Sequence, residues 1–64
     1  QAVAPLIQRV QADPEPEVRR VAAAALGMIG SPRAVPALQQ ALQDREVQAV
    51  AQQALAKLKA KWLG

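Results

Sequence analysis

Side chains able to do chemistry are few in this sequence and fall in separate places. Five carboxylates stand in two short runs, Asp13/Glu15/Glu17 and Asp44/Glu46, and spaced carboxylates are the raw material of acid–base catalysis or of a hard-cation site. Arg19 and Arg20 form an adjacent pair suited to a phosphate or a carboxylate. Lys57, Lys59 and Lys61, with Arg45 further upstream, make the C-terminal stretch basic, a possible nucleic-acid footprint. Ser31 is the only hydroxyl and Trp62 the only aromatic residue. None of these groups is completed into a working set. The chain has no His, Cys, Tyr, Thr or Asn, so Ser31 has no imidazole to activate it and the carboxylates have no soft co-ligand. Most enzyme classes are thereby excluded, and we expect no catalytic residue, no cofactor and no metal site.

The elements that must position these residues are small. The 64 residues carry 15 alanines and nine glutamines, so the 52% apolar content is mostly methyl surface and a large pocket is not expected. Without cysteine, no disulfide contributes and packing alone must hold the fold. No apolar run approaches the ~18 residues that a membrane span requires, and the N-terminus lacks the pattern of a signal peptide. A cytoplasmic location is the default expectation. Absence of an initiator Met leads us to expect a fragment or a processed product.

The sequence repeats internally. Ala2-Val3, Leu6 and Val10 recur 32 positions later as Ala34-Val35, Leu38 and Leu42. Val18, Val21, Ala22, Ala25, Leu26 and Ile29 recur 29 positions later as Val47, Val50, Ala51, Ala54, Leu55 and Leu58. The change of offset falls in a connection, where the seven residues 11–17 face the four residues 43–46. Within each second segment the apolar positions run i, i+3, i+4, i+7, i+8, i+11, one stripe of a 3.6-residue period, and both segments are expected to be helices facing the core along that stripe. The first segments follow the same rule over about three turns.

Punctuation agrees with four helices. Asp13-Pro14-Glu15-Pro16-Glu17 interrupts one helix and starts the next, its acidic residues lying at the positive end of the helix dipole. Gly30-Ser31-Pro32 reads as a left-handed stop, a capping hydroxyl and a proline in the following first turn. Asp44 is the expected cap of a fourth helix from about Arg45 to Trp62, and Pro36 is expected to bend the third near its start. The architecture predicted is all-α: two stacked antiparallel helical hairpins, repeat one at 1–30 and repeat two at 31–64.

The wording Ala34-Val35-Pro36-Ala37-Leu38…Ala41-Leu42-Gln43-Asp44 and Glu17-Val18-Arg19-Arg20-Val21-Ala22…Ala25-Leu26-Gly27-Met28-Ile29-Gly30 resembles HEAT repeats, most closely the short HEAT-like repeat of phycobilisome lyases. The resemblance spans essentially the whole chain. It implies a right-handed α-solenoid segment with the second helices on the concave side, and a turn Asp that pairs with the Arg after the valine, positions held here by Asp13 and Arg19. Tetratricopeptide repeats fit less well because their aromatic positions have no counterpart, and the His-Glu metal pairs of HEAT-like hydroxylases are absent.

Stacked hairpins offer an extended surface, so the function expected is non-catalytic protein–protein binding by an adaptor or scaffold. Arg19, Arg20, Gln48, Gln52 and Lys59 are the candidate partner-binding residues if the concave face binds. The acidic residues read as helix-start caps, and the lysines as cations suited to a last helical turn, so nucleic acid is a lesser expectation despite a net charge of +3. The resemblance also implies an alternative, part of a phycobilin lyase or a phycobilisome-associated protein.

The second unit places Gln48, Ala49, Gln52, Gln53 and Lys57 where the first has Arg19, Arg20, Ala23, Ala24 and Met28, which suits a C-terminal capping repeat. Trp62 is then expected to fold over the exposed end of the core, a partner hot spot being the competing reading. The first unit has no such polar face, so further repeats before Gln1 or self-association through Ile7 are expected.

Overall fold

The computed structural model describes residues 2–63; Gln1 and Gly64, the outermost positions of the two expected repeats, lie outside them. Four α-helices follow in order: α1 (Val3–Ala12), α2 (Pro16–Ile29), α3 (Val35–Ala41) and α4 (Gln48–Leu63), with a single 3-10 turn, Pro32–Ala34, leading into α3. The described residues contain no strand. Helix α1 packs on α2 and α3 packs on α4, while α2 lies against α4 and α1 against α3, so the two hairpins stack side by side.

The boundaries follow local chemistry. Pro16 opens α2 at a position whose N–H would have no helical partner, and Gly30 closes it in the left-handed region at φ 77°, donating its N–H to the Leu26 carbonyl at 3.1 Å. Ser31 Oγ accepts from Arg33 N–H at 3.3 Å, which caps the 3-10 turn.

Two details differ from the sequence expectation. Pro36 does not bend a longer helix: it sits in the first turn of a seven-residue one, where its missing donor has no partner to lose. Helix α4 starts at Gln48 rather than at about Arg45. Asp44 Oδ1 accepts from Glu46 N–H at 3.1 Å, which makes an Asx turn, and it is the Val47 carbonyl that receives the Ala51 N–H at 2.8 Å to begin the helix. The α1–α2 connection holds the same device, Asp13 Oδ1 accepting from Glu15 N–H at 2.9 Å, despite its three extra residues.

The core is thin and rich in alanine. Ala22, Ala23 and Leu26 of α2 meet Val47, Ala51, Ala54 and Leu58 of the second hairpin, with Val3, Val10, Ala34, Ala37, Leu38 and Ala41 completing it. Among the described residues, only Leu26, Leu38 and Val47 are large and fully buried. Small residues let the hairpins approach closely: a Cβ placed on Gly27 would come within 2.8 Å of Ala54 Cα and Cβ. The Cα envelope measures 34 × 25 × 15 Å, a slab about one helix pair thick with no room for an enclosed chamber.

The repeated stripe is used unequally. In the second hairpin Val47, Ala51, Ala54 and Leu58 are buried and Val50 and Leu55 half-buried, as the periodicity predicts. In the first, only Ala22 and Leu26 of the equivalent set are buried; Val18 and Ala25 are half-buried, Ile29 is exposed and Val21 is 63% exposed. The reason is the stacking order. Helix α4 has α2 on one flank, whereas among the described residues α2 has no neighbour on the corresponding flank.

Candidate functional site

Four charged residues, Arg19, Arg20, Asp44 and Glu46, fasten the two hairpins together. Arg19 donates from Nε to Asp44 Oδ2 at 2.7 Å and from Nη1 to the main-chain carbonyl of Asp13 at 2.8 Å, so one guanidinium ties both connections. Its side chain is only 18% exposed. The expected Asp13 carboxylate–Arg19 pair is therefore replaced by a pair across the hairpins. Asp13 keeps its carboxylate for the Asx turn and for Arg9, 3.7 Å away. The hydrogen bond from Arg19, helped by the Glu46 N–H and by the guanidinium charge, holds the Asp44 carboxyl below its ordinary value, against a smaller opposing effect of burial. Arg20 reaches the same connection from the next position, Nη1 lying 3.3 Å from Glu46 Oε1, but this pair is open to solvent.

The five candidate partner-binding residues accordingly do not form one face. Arg19 and Arg20 point to the second hairpin. Gln48, Gln52 and Lys59, at i, i+4 and i+11, are exposed and occupy the positions equivalent to Arg19, Ala23 and Gly30. Those positions, in α2 and at its C-terminal end, carry the contact with the second hairpin, so in α4 the same stripe forms the far side of the stack.

That far side holds a groove. Pro32, Val35 and Gln39 on one bank and Leu55, Leu58, Lys59 and Trp62 on the other enclose about 430 Å³ of open, mainly apolar space between α3 and α4. Leu55, Leu58 and Trp62 fall at i, i+3 and i+7, one stripe of α4. Trp62 does not close over the core as expected. Its indole Nε1 donates to the Gly30 carbonyl at 2.8 Å, which satisfies the polar edge and fixes the ring at the groove wall with 56% of the residue exposed. Lys61 Nζ stands 5.8 Å from the ring centroid, within cation–π range.

A second open apolar surface runs along α2 through Val18, Val21, Ala25 and Met28, the last 77% exposed. Ile7, the expected self-association residue, lies in α1, half-buried against the core. Met28 and its counterpart Lys57 are both exposed, so that difference between the units does not mark a covered position turned polar.

Sequence reasoning missed the groove as a unit and missed Asp44 as the partner of Arg19. The signals were present: the i, i+3, i+7 spacing that ends in Trp62, and the placement of Asp44 in the second connection where Asp13 stands in the first.

No helix among the described residues is long and apolar enough to cross a membrane. A family profile of HEAT repeats matches residues 1–59. No curated protein and no solved structure matches the chain.

Proposed function

The chain belongs to the HEAT repeat family, and from that premise we propose that it is a non-catalytic protein-binding module, an adaptor that docks a partner segment on the far side of its second hairpin. The observation that carries this is the groove between α3 and α4 with Trp62 anchored at its wall. An aromatic ring fixed in place by its own polar edge loses little conformational freedom on binding, and such residues supply a large share of interface energy. Lys59 lines this groove, and Gln48 and Gln52 extend the same helix stripe, so these three are the binding candidates; Arg19 and Arg20 serve it indirectly by holding the hairpins in register.

The test is selection of amphipathic helical peptides from a displayed library on the intact chain, repeated with Trp62→Ala after circular dichroism has verified its helicity. Peptides whose affinity falls about tenfold or more in Trp62→Ala are expected, the loss of one anchoring aromatic. Absence of any enriched peptide, or binders indifferent to the substitution, overturns the reading. A change in bilin absorbance on mixing with the protein would instead favour the phycobilisome-lyase alternative.

The exposure of Val21 and Met28 supports self-association as a second, separate property of the first hairpin, in which Ile7 packs half-buried against the core. Sedimentation equilibrium over a wide concentration range tests it: Val21→Glu should abolish any dimer, and a wild-type monomer throughout removes the idea.

A further inference from the structure

The groove also carries information about what kind of segment fits it. By the internal repeat, it occupies the side on which another hairpin would stack, as the second stacks on the first. Close stacking on α2 depends on Ala23, Gly27 and Gly30, all buried; the equivalents in α4 are Gln52, Ala56 and Lys59, all exposed. Gly27 leaves no room for even one methyl group against Ala54, so Ala56 and the longer side chains of Gln52 and Lys59 hold an approaching backbone further away. What remains apolar is the groove floor of Val35, Leu55 and Leu58 and the Trp62 wall. An occupant must therefore reach in with large side chains from a more distant backbone, which a single amphipathic helix does with anchors at i, i+3, i+4 and i+7.

Charge narrows the class further. Among the described residues no carboxylate side chain lines the groove, whereas Lys59 does and Lys61 stands over Trp62. Among the described residues the ion pairs engage Arg9, Arg19 and Arg20, leaving these two lysines without carboxylate partners. The five carboxylates lie in the connections at the opposite end of the hairpins, before α2 or α4 begins or in the first turn of α2. Eleven residues of α4 separate Gln48 from Lys59, ~16 Å at helical rise, about twice the physiological screening length, so the acidic end does not neutralise the groove.

Resting on the protein-binding reading above, we infer that the α3–α4 groove receives an amphipathic helix whose apolar face is flanked by acidic residues. The experiment uses two labelled peptides with the same Leu face, one flanked by Glu and one by Lys, titrated by fluorescence anisotropy against the intact chain, with a single-stranded oligonucleotide as competitor. The Glu-flanked peptide should bind about tenfold more tightly, and its affinity should weaken several-fold between about 50 and 300 mM salt. The preference should vanish in K59Q/K61Q and invert in K59E/K61E, while W62A weakens both peptides. Equal binding of the two peptides, a preference unchanged by the lysine variants, or displacement of the Glu peptide by oligonucleotide at lower concentration than by unlabelled peptide overturns the inference. If neither peptide binds, the inference also falls, but the protein-binding reading does not, because the library selection can still return segments of other chemistry.

Discussion

One helix face has opposite uses in the two hairpins. In α2 the stripe Arg19, Ala23, Gly27, with Gly30 just past its end, is pressed against the second hairpin; in α4 the positions 29 later, Gln48, Gln52, Ala56, Lys59, are exposed. The backbones are both helical and the flanking apolar pattern is the same, so the difference comes from these side chains. Stacking two hairpins requires that backbones come close, and closeness requires residues with almost no side chain where the helices cross. One long arginine is tolerated only because it leaves the crossing and ends on two connections. Replacing the small residues by glutamine, alanine and lysine keeps the helix but removes the crossing, and what was a packing face becomes a groove open to another molecule.

The largest effect should come from filling the crossing itself. Gly27→Val places a branched side chain where even a methyl would meet the Ala54 backbone at 2.8 Å, and we expect a loss of about 3 kcal/mol or more by chemical denaturation, at the upper end of overpacking costs. Ala56→Val, at the same repeat position but exposed, should change stability by less than about 1 kcal/mol. Similar losses at the two positions would mean that the stripes are not used differently.

How much of this was legible in the sequence follows from the same contrast. Periodicity located four helices and the stop at Gly30, because those depend on residues close in the chain. It treated the stripes of α2 and α4 as equivalent, since they have the same apolar residues; that Val21 and Ile29 are exposed while Leu58 is buried depends on which neighbours exist, which no local pattern records. The family resemblance pairs Arg19 with Asp13, six residues away in its own connection, whereas the geometry supplies a carboxylate 25 residues on. Trp62 was visible as an isolated aromatic, yet its orientation depends on the Gly30 carbonyl, 32 residues earlier.

The next effect should appear at Arg19. Its replacement by Ala removes both ties between the connections and should lower the melting temperature by several degrees, what a charge-assisted hydrogen bond contributes in a domain of this size, while Gln48→Ala should leave it nearly unchanged. The same pair makes stability depend on acid. Because the folded-state value of Asp44 lies below its ordinary 3.8, its contribution is fully present above that value and is lost as pH falls through the lowered folded value. A thermal melting series from neutral pH to about pH 2 should therefore show a smaller acid decline in Asp44→Asn than in the wild type. An identical decline in the two proteins would assign acid sensitivity to other carboxylates.

A smaller change, about 1 kcal/mol, is expected for Gly30→Ala, because a φ of 77° is costly for a residue with a Cβ, while the Lys61 side chain that the methyl would meet can move aside. Lys59→Ala, at the same repeat position in ordinary helix, should be neutral or slightly stabilising. The smallest effect belongs to Arg20. Its link to Glu46 spans the two hairpins as that of Arg19 does, but its side chain is 39% exposed and that of Glu46 60%, so water competes for both ends and salt screens the charges. A double-mutant cycle of Arg20→Ala with Glu46→Ala should give a coupling of no more than about 0.5 kcal/mol, falling towards zero in high salt. A coupling several times larger, or one insensitive to salt, would show that this pair fastens α2 to the second hairpin as firmly as Arg19 does, and the ranking of Arg19 over Arg20 would have to be abandoned.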